Sequence, residues 1–413
     1  MSTSRTERLP DPEFVTSFPL RFAIKALAPG DVRSTSGQRT AYLQATRVGD
    51  PAADAVVEMF RRLPTGEGRR LFELAVEHGI DSVPDAPIEL REFFAAVDTV
   101  PYWVDHDRLD RGCRVIGRTG IVGFMALSMG ALMGGYFAAR VAKTLVGTGD
   151  LERMAPRRLA ETVAWHSAVT APGGLNRFAD GFKQTMRVRL MHALVRAGML
   201  RRPDWDFDAW DHPLNNSQLA GTAMLFALAH LSGCQALGLH FTRDERADVY
   251  HLWRYVGFLL GVEGQILPAD EADGWRLFWL QASYEFDQPD GDCVRLAQAL
   301  AGAVGPLMVG ERAGRLPQVT REAVTGVMCA YARLILGNAN ADQLQLPDQK
   351  LFQALVLGAA VSLKAAEYPR RLLPGATRWA EFVGRRCQLA LTDRMMCTAA
   401  PRCRPSSTGR SSS

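Results

Sequence analysis

Ile121 to Ala139 (IVGFMALSMGALMGGYFAA) runs without a charged side chain, and an uncharged stretch of that length must lie either in a protein core or in a bilayer. A second stretch, Leu219 to Leu239 (LAGTAMLFALAHLSGCQALGL), is also uncharged and holds His230. Gly130 and Gly134 have the spacing of a close helix contact. The many glycines of the first stretch and the amphipathic character of the other helices favour a buried core helix over membrane insertion.

The rest of the chain supports a large core. Apolar residues make up 47% and charged residues 22% of the 413 positions, a balance that excludes a largely disordered protein. The formal charge is only +4, with basic residues scattered among acids, so nucleic acid is not an expected partner. Cys113, Cys234, Cys293, Cys329, Cys387, Cys397 and Cys403 lack the paired short spacings of zinc or iron–sulfur sites and are expected to be unpaired thiols in a reducing compartment. The opening MSTSRTERLPDPEF mixes charges and prolines where a secretory signal needs an apolar run, which predicts a cytoplasmic protein.

Nothing in the chain reads as a sheet. Alternating apolar runs between turn signals are missing, and helix signals recur, so the expected fold class is all-α. Thr242 and Glu245 form a capping box before ERADVYHLWRYVGFLLG, Gly337-Asn338 closes REAVTGVMCAYARLIL, and Pro347-Asp348 opens QKLFQALVLGAAVSLKAAEY. Pro172-Gly173-Gly174 separates a helix over about 155–170 from one over about 181–197. Residues 1–55 read as an N-terminal extension wrapping the body, 56–397 as one helical domain, and 398–413 (TAAPRCRPSSTGRSSS) as a disordered tail.

The chemistry is expected between Arg157 and Arg196. Arg158, Thr162 and His166 fall at i, i+4 and i+8 and are expected to share a face, joined at i+3 by Glu161. In the next helix Val188, Met191, Val195 and Met199 surround His192, with Arg187, Arg189 and Arg196 on other faces. A histidine in an apolar wall needs partners for both ring nitrogens; it is either a hydrogen-bonded core residue or a metal ligand. His230 is a rival ligand, and His251 three residues after Asp248 suggests a structural pair. Trp253 and Tyr255 read as core packing. No phosphate loop, nucleophile elbow, HExxH or paired-carboxylate motif is present.

These residues resemble the haem-b oxygenase family that includes the latex-clearing rubber oxygenases and the MpaB-type oxygenases. The resemblance rests on R-x-x-x-T at Arg158 and Thr162, the Pro-Gly break, VRLMHALVR from Val188 to Arg196, the Asn-rich LNNSQLAGT from Leu214 to Thr222, and WRYVGFLLGV from Trp253 to Val262. It covers about residues 60–380. It implies a globin-like helical core with additional helices and haem b bound through its iron to His192. Arg158 and Thr162 would be the polar pair beside the haem, and dioxygen would bind on the face opposite His192. Oxidative attack on, or cleavage of, a C=C bond in a hydrophobic, isoprenoid-like small molecule or polymer is the implied reaction. The pocket for it would be lined partly by the two uncharged stretches.

Two departures from the family pattern bear on mechanism. Where the rubber oxygenases carry a lysine just before the threonine, this chain has Glu161. Their upstream glutamate falls, counting back without a gap, on Ala142 beside Lys143. Glu161 or His166 would then handle protons. The alternatives are a non-catalytic haem sensor or carrier, and a membrane-associated helical protein without haem.

Overall fold

The computed structural model describes residues 11–149, 151–286, 289–310 and 314–399. Among these residues all regular structure is helical, as the sequence patterning predicts. The N-terminal part comprises α1 (Glu13–Thr16), α2 (Leu20–Leu27), α3 (Ser36–Ala45), α4 (Pro51–Arg62), α5 (Glu67–His78) and α6 (Ile88–Asp98). The central part comprises α7 (His106–Met125), α8 (Met133–Gly135), α9 (Ala139–Gly147), α10 (Leu151–Val169), α11 (Asp180–Met199), α12 (Phe207–Trp210) and α13 (Asn216–Ala236). There follow α14 (Arg243–Leu259), α15 (Glu271–Glu285), α16 (Gly291–Val309), α17 (Arg315–Leu336), α18 (Asn338–Gln343), α19 (Lys350–Leu372) and α20 (Ala376–Ala399). The segment expected as an N-terminal extension is thus itself helical, and of the expected tail only Thr398 and Ala399, at the end of α20, lie within the described residues.

The long uncharged α13 is the central shaft, packed by α7, α14, α15 and a π-helical turn over Ala126–Leu132. Its start is fixed by Asn215, whose side chain accepts from the Gln218 amide at 3.0 Å, and α14 begins with the expected Thr242–Glu245 capping box. Both relieve amide groups that a helix start leaves unpaired. Close packing requires missing side chains: a Cβ on Gly112 of α7 would lie 2.7 Å from the Asp248 carbonyl oxygen of α14.

The first uncharged stretch is buried, as expected, but is not one straight helix. At Gly120 the backbone turns to φ +51, a conformation that favours glycine. The π turn follows, and regular helix stops at Gly135. Among the described residues four helices are long and apolar enough to cross a membrane, yet 78% of the span in His106–Gly135 and 67% of that in Asn216–Ala236 are covered by the protein itself. Those two belong to the core of this fold.

The α10–α11 pair is an antiparallel hairpin with little slack. Phe182 donates its amide to the Gly174 carbonyl at 2.9 Å, and a Cβ on Gly181 would lie 2.5 Å from that oxygen and 2.7 Å from the carbonyl oxygen of Ala168. Neither backbone atom can yield cheaply, so Gly181→Ala should destabilise the protein by about 1–3 kcal/mol. Gly198 on the same helix has open space where a Cβ would sit, and Gly198→Ala should stabilise by up to about 1 kcal/mol. Urea denaturation of the two variants checks the contrast; shifts of the same sign would contradict it.

Candidate functional site

Trp165 of α10 donates its indole N–H to the Thr185 hydroxyl of α11 at 3.1 Å. In an antiparallel pair, two turns back along α10 and two forward along α11 keep the same level, which places Arg158 level with His192 and Thr162 level with Val188. Arg158 reaches sideways to the end of α9, donating to the Leu145 carbonyl at 3.5 Å and to the Thr148 hydroxyl. The end of α9 thus meets the first half of α10 through Arg158 and the end of α11 through Gly147, where a Cβ would lie 2.9 Å from the Met199 sulfur.

The three arginines near His192 are all engaged. Arg187 pairs with Glu73 at 2.8 Å and Glu77 at 2.6 Å on α5. Arg189 grips Asp50 through two bonds of 2.6 and 2.9 Å, and Arg196 holds Asp54 at 2.8 Å and the Leu214 carbonyl at 2.8 Å. These bonds lock α11 onto α4 and α5 and leave the imidazole aside. His192 itself is partly buried, and its Nδ1 is sealed without a hydrogen-bond partner. Burial lowers its pKa to about 4, helped by the positive Arg196 and opposed by Asp50. A neutral imidazole with a lone pair to donate is the state a metal ligand requires. The apolar wall is less complete than expected: Val188 and Val195 are partly buried and Met199 is buried, but Met191 is 45% exposed.

The expected single face of α10 splits in two. Eight residues overshoot two helical turns by roughly 80°, so His166 points away from Arg158 into the core, 2% exposed. There it stacks on Trp253 (5.7 Å between centroids) and His230 (5.9 Å). Glu161 is on the outside, exposed and paired with Arg157 at 2.7 Å. The His230 tautomer follows from its neighbour: the Thr119 hydroxyl donates to the Ile116 carbonyl at 2.7 Å, so at 3.1 Å His230 Nε2 must donate to Thr119. Nδ1 of His230 is then bare and enclosed. His166 and His230 are both driven to the neutral form by burial. The expected Asp248–His251 pair is replaced by another arrangement. Asp248 is taken by Arg108 and Arg111, and His251 Nε2 accepts from the Asp105 amide at 3.0 Å. Trp253, 1% exposed, is core as expected.

Residues 114–364, more than half of the chain, match the family model described as ER-bound oxygenase mpaB/B'/Rubber oxygenase, catalytic domain. The chain belongs to this family. A rubber oxygenase of Streptomyces sp. (strain K30) is 22% identical over 283 residues, spanning 66% of this chain and 64% of that protein, less than two thirds of its length. The structure of latex clearing protein in the closed state superposes with a TM-score of 0.64 at 18% identity, covering 84% of this chain and 91% of that one. The all-α fold of this chain is therefore that of the latex clearing protein.

Against the family pattern, the position of the upstream glutamate is Ala142, 1% exposed, and the adjacent Lys143 is committed to Asp290 at 2.5 Å and Asp292 at 2.7 Å. A buried acid does lie against α9, contributed by α15, and sequence reasoning missed it. Glu285 is 2% exposed; Gln218 donates to its Oε1 at 3.3 Å, and Oε2 has no partner. Around it Arg140 of α9 donates to the Tyr284 carbonyl at 2.6 Å and pairs with Asp211, which accepts from the Tyr284 hydroxyl at 3.0 Å. A usable signal was an acid one helical turn beyond Gln281 in an otherwise apolar helix ending. Glu285 and Arg158 are thus tied to the same short helix, α9, at its two ends.

The two uncharged stretches line an apolar cavity of about 350 Å³ together with Leu20, Ile24 and Leu27 of α2. Its α13 contacts begin at Leu225, and neither His192 nor Arg158 is among the residues that line it. Among the described residues no group of three or more His, Cys, Asp or Glu could hold a metal.

Burial raises the pKa of Glu285 from 4.5 to about 7, with Asp211 adding to the rise while Arg140 and Gln218 oppose it. The folded protein thus keeps a proton that the unfolded chain has released. The stability this proton confers is complete below about 4.5 and is lost as the pH climbs through about 7. Glu285→Gln, which cannot ionise, should raise stability at pH 8 by up to about 3 kcal/mol and change it little at pH 5. Equal shifts of the urea midpoint at the two pH values would show that the carboxyl is already ionised in the fold.

Proposed function

We propose that this protein is a haem-b-dependent oxygenase acting on a hydrophobic, isoprenoid-like substrate, with His192 as the protein's ligand to the iron. The observation that carries the reading is His192 itself, a partly buried neutral imidazole with an unpartnered Nδ1, at the position that the family resemblance assigns to the proximal ligand. The residues present fit such a group. A single imidazole in largely dry surroundings would serve to hold its iron, and the Arg158 guanidinium would suit a propionate. When bound, haem b supplies the redox chemistry by which dioxygen attacks a carbon–carbon double bond.

The chain's own contribution is position and exclusion of water. Arg189 and Arg196 hold the histidine helix through a buried bond to Asp50 and a partly buried one to Asp54. Arg158 and Thr162 present polar groups on the α10 side. Glu285, with a pKa of about 7, is the buried carboxyl suited to storing a proton near neutral pH, and we assign it that role in preference to solvent-facing Glu161 or neutral His166. The cavity between the two uncharged stretches has an apolar lining, suited to a hydrophobic substrate.

Purified protein should show a Soret band and one haem per chain, and His192→Ala should lose both; a variant that retains its full haem content would refute the ligand assignment. Arg158→Ala should keep the fold and lower haem retention or alkene-dependent oxygen uptake by about tenfold or more, the loss of one charged hydrogen-bonding partner. Haem binding without any alkene turnover would leave the sensor or carrier reading.

A further inference from the structure

The helix α19 is exceptional among the four apolar helices, because only 11% of its apolar span is covered by the protein. It touches the body along one narrow line through Phe352, Val356, Ala360 and Glu367, of which Val356 and Glu367 are buried. From 351 to 363 it carries no charged side chain, yet Leu351 is 72% and Val361 71% exposed. At the turn into α20 the apolar surface continues through Leu372 (80%), Trp379 (68%) and Phe382 (63%). A solvent-facing helix normally places charges on such a surface, and a contiguous apolar patch marks a partner or a membrane.

Charge identifies the partner. Residues 350–399 contain eight basic and three acidic side chains, and Lys364, Arg371, Arg378 and Arg386 are exposed on these two helices and the turn between them. Of the acids, Glu367 is buried and bound to Arg370. A second copy on the same face would oppose this basic rim to itself, since a two-fold contact is self-complementary. An anionic lipid surface satisfies both features, with apolar and aromatic side chains at the headgroup boundary and cations on phosphates.

The hairpin is also held so that it lies on a surface rather than crossing it. Gly384 of α20 sits so close to α7 that a Cβ would be 2.5 Å from the Gly117 carbonyl oxygen. Arg385 donates to the Ser167 carbonyl at 2.9 Å, and Glu367 accepts the His240 amide at 2.9 Å.

We propose that the α19–α20 hairpin docks this protein on anionic lipid bilayers, immersing Leu351, Leu355, Val361, Leu372, Trp379 and Phe382. This goes beyond the oxygenase reading and holds whether or not that reading does. The full-length protein should co-sediment with vesicles of phosphatidylcholine and phosphatidylglycerol and much less with phosphatidylcholine alone, and added salt should weaken the binding. Leu355→Glu with Val361→Glu, both at exposed positions, should lower the partition by at least about tenfold with the melting temperature kept. Arg371→Glu with Arg378→Glu should abolish the preference for anionic vesicles. Failure to bind the anionic vesicles, or undiminished binding by the apolar double variant, overturns the proposal. So does a vesicle-free dimer that the same two glutamates dissolve, which would assign the face to a second copy.

Discussion

The placement of His192 depends on a buried clamp between α4 and α11. Asp50 starts α4 by accepting the Ala53 amide at 3.2 Å, and the same carboxylate takes both bonds from Arg189. One turn on, Asp54 meets Arg196, which is 0% exposed. Gly49 makes room for that guanidinium, since a Cβ there would fall 2.5 Å from its Nε. Burying these charges costs free energy that their attraction offsets only in good geometry, and removing one partner of such a pair typically costs about 3–5 kcal/mol. What the clamp secures is orientation. His192 lies between the two arginines along the helix, so its rotation is set by contacts on either side, while the imidazole remains uncommitted.

Much of the architecture was legible in the sequence because it depends on local signals. Capping residues, the Pro-Gly break and the uncharged stretches each act within a few residues, and the helices they predict are present with small boundary differences. The Gly120 kink and the π turn were not legible, because a glycine-rich run is compatible with a straight helix until neighbouring helices impose a bend. The R-x-x-x-T pair and His192 were singled out by spacing and resemblance, and helix geometry puts Arg158 and His192 at one level of the α10–α11 hairpin.

Spacing failed where it was extended over eight residues. The drift between 3.6 residues per turn and a four-residue step turns His166 into the core, while Glu161, only three residues from Arg158, stays in solvent paired with Arg157. Glu285 was invisible for another reason. It comes from a helix more than a hundred residues downstream, and only tertiary packing places it with Arg140, Gln218 and Asp211. Ala142 carries no carboxyl, and the buried acid comes instead from α15, whose Tyr284 carbonyl accepts from Arg140 of α9.

The closed α10–α11 hairpin has a mechanical consequence. With Gly181 seated on the carbonyls of Gly174 and Ala168, the two helices cannot slide past one another, and Arg158 and His192 move as points on one lever. The short α9 shares in this rigidity, because Lys143 fastens it to the start of α16 through Asp290 and Asp292 while its end receives Arg158.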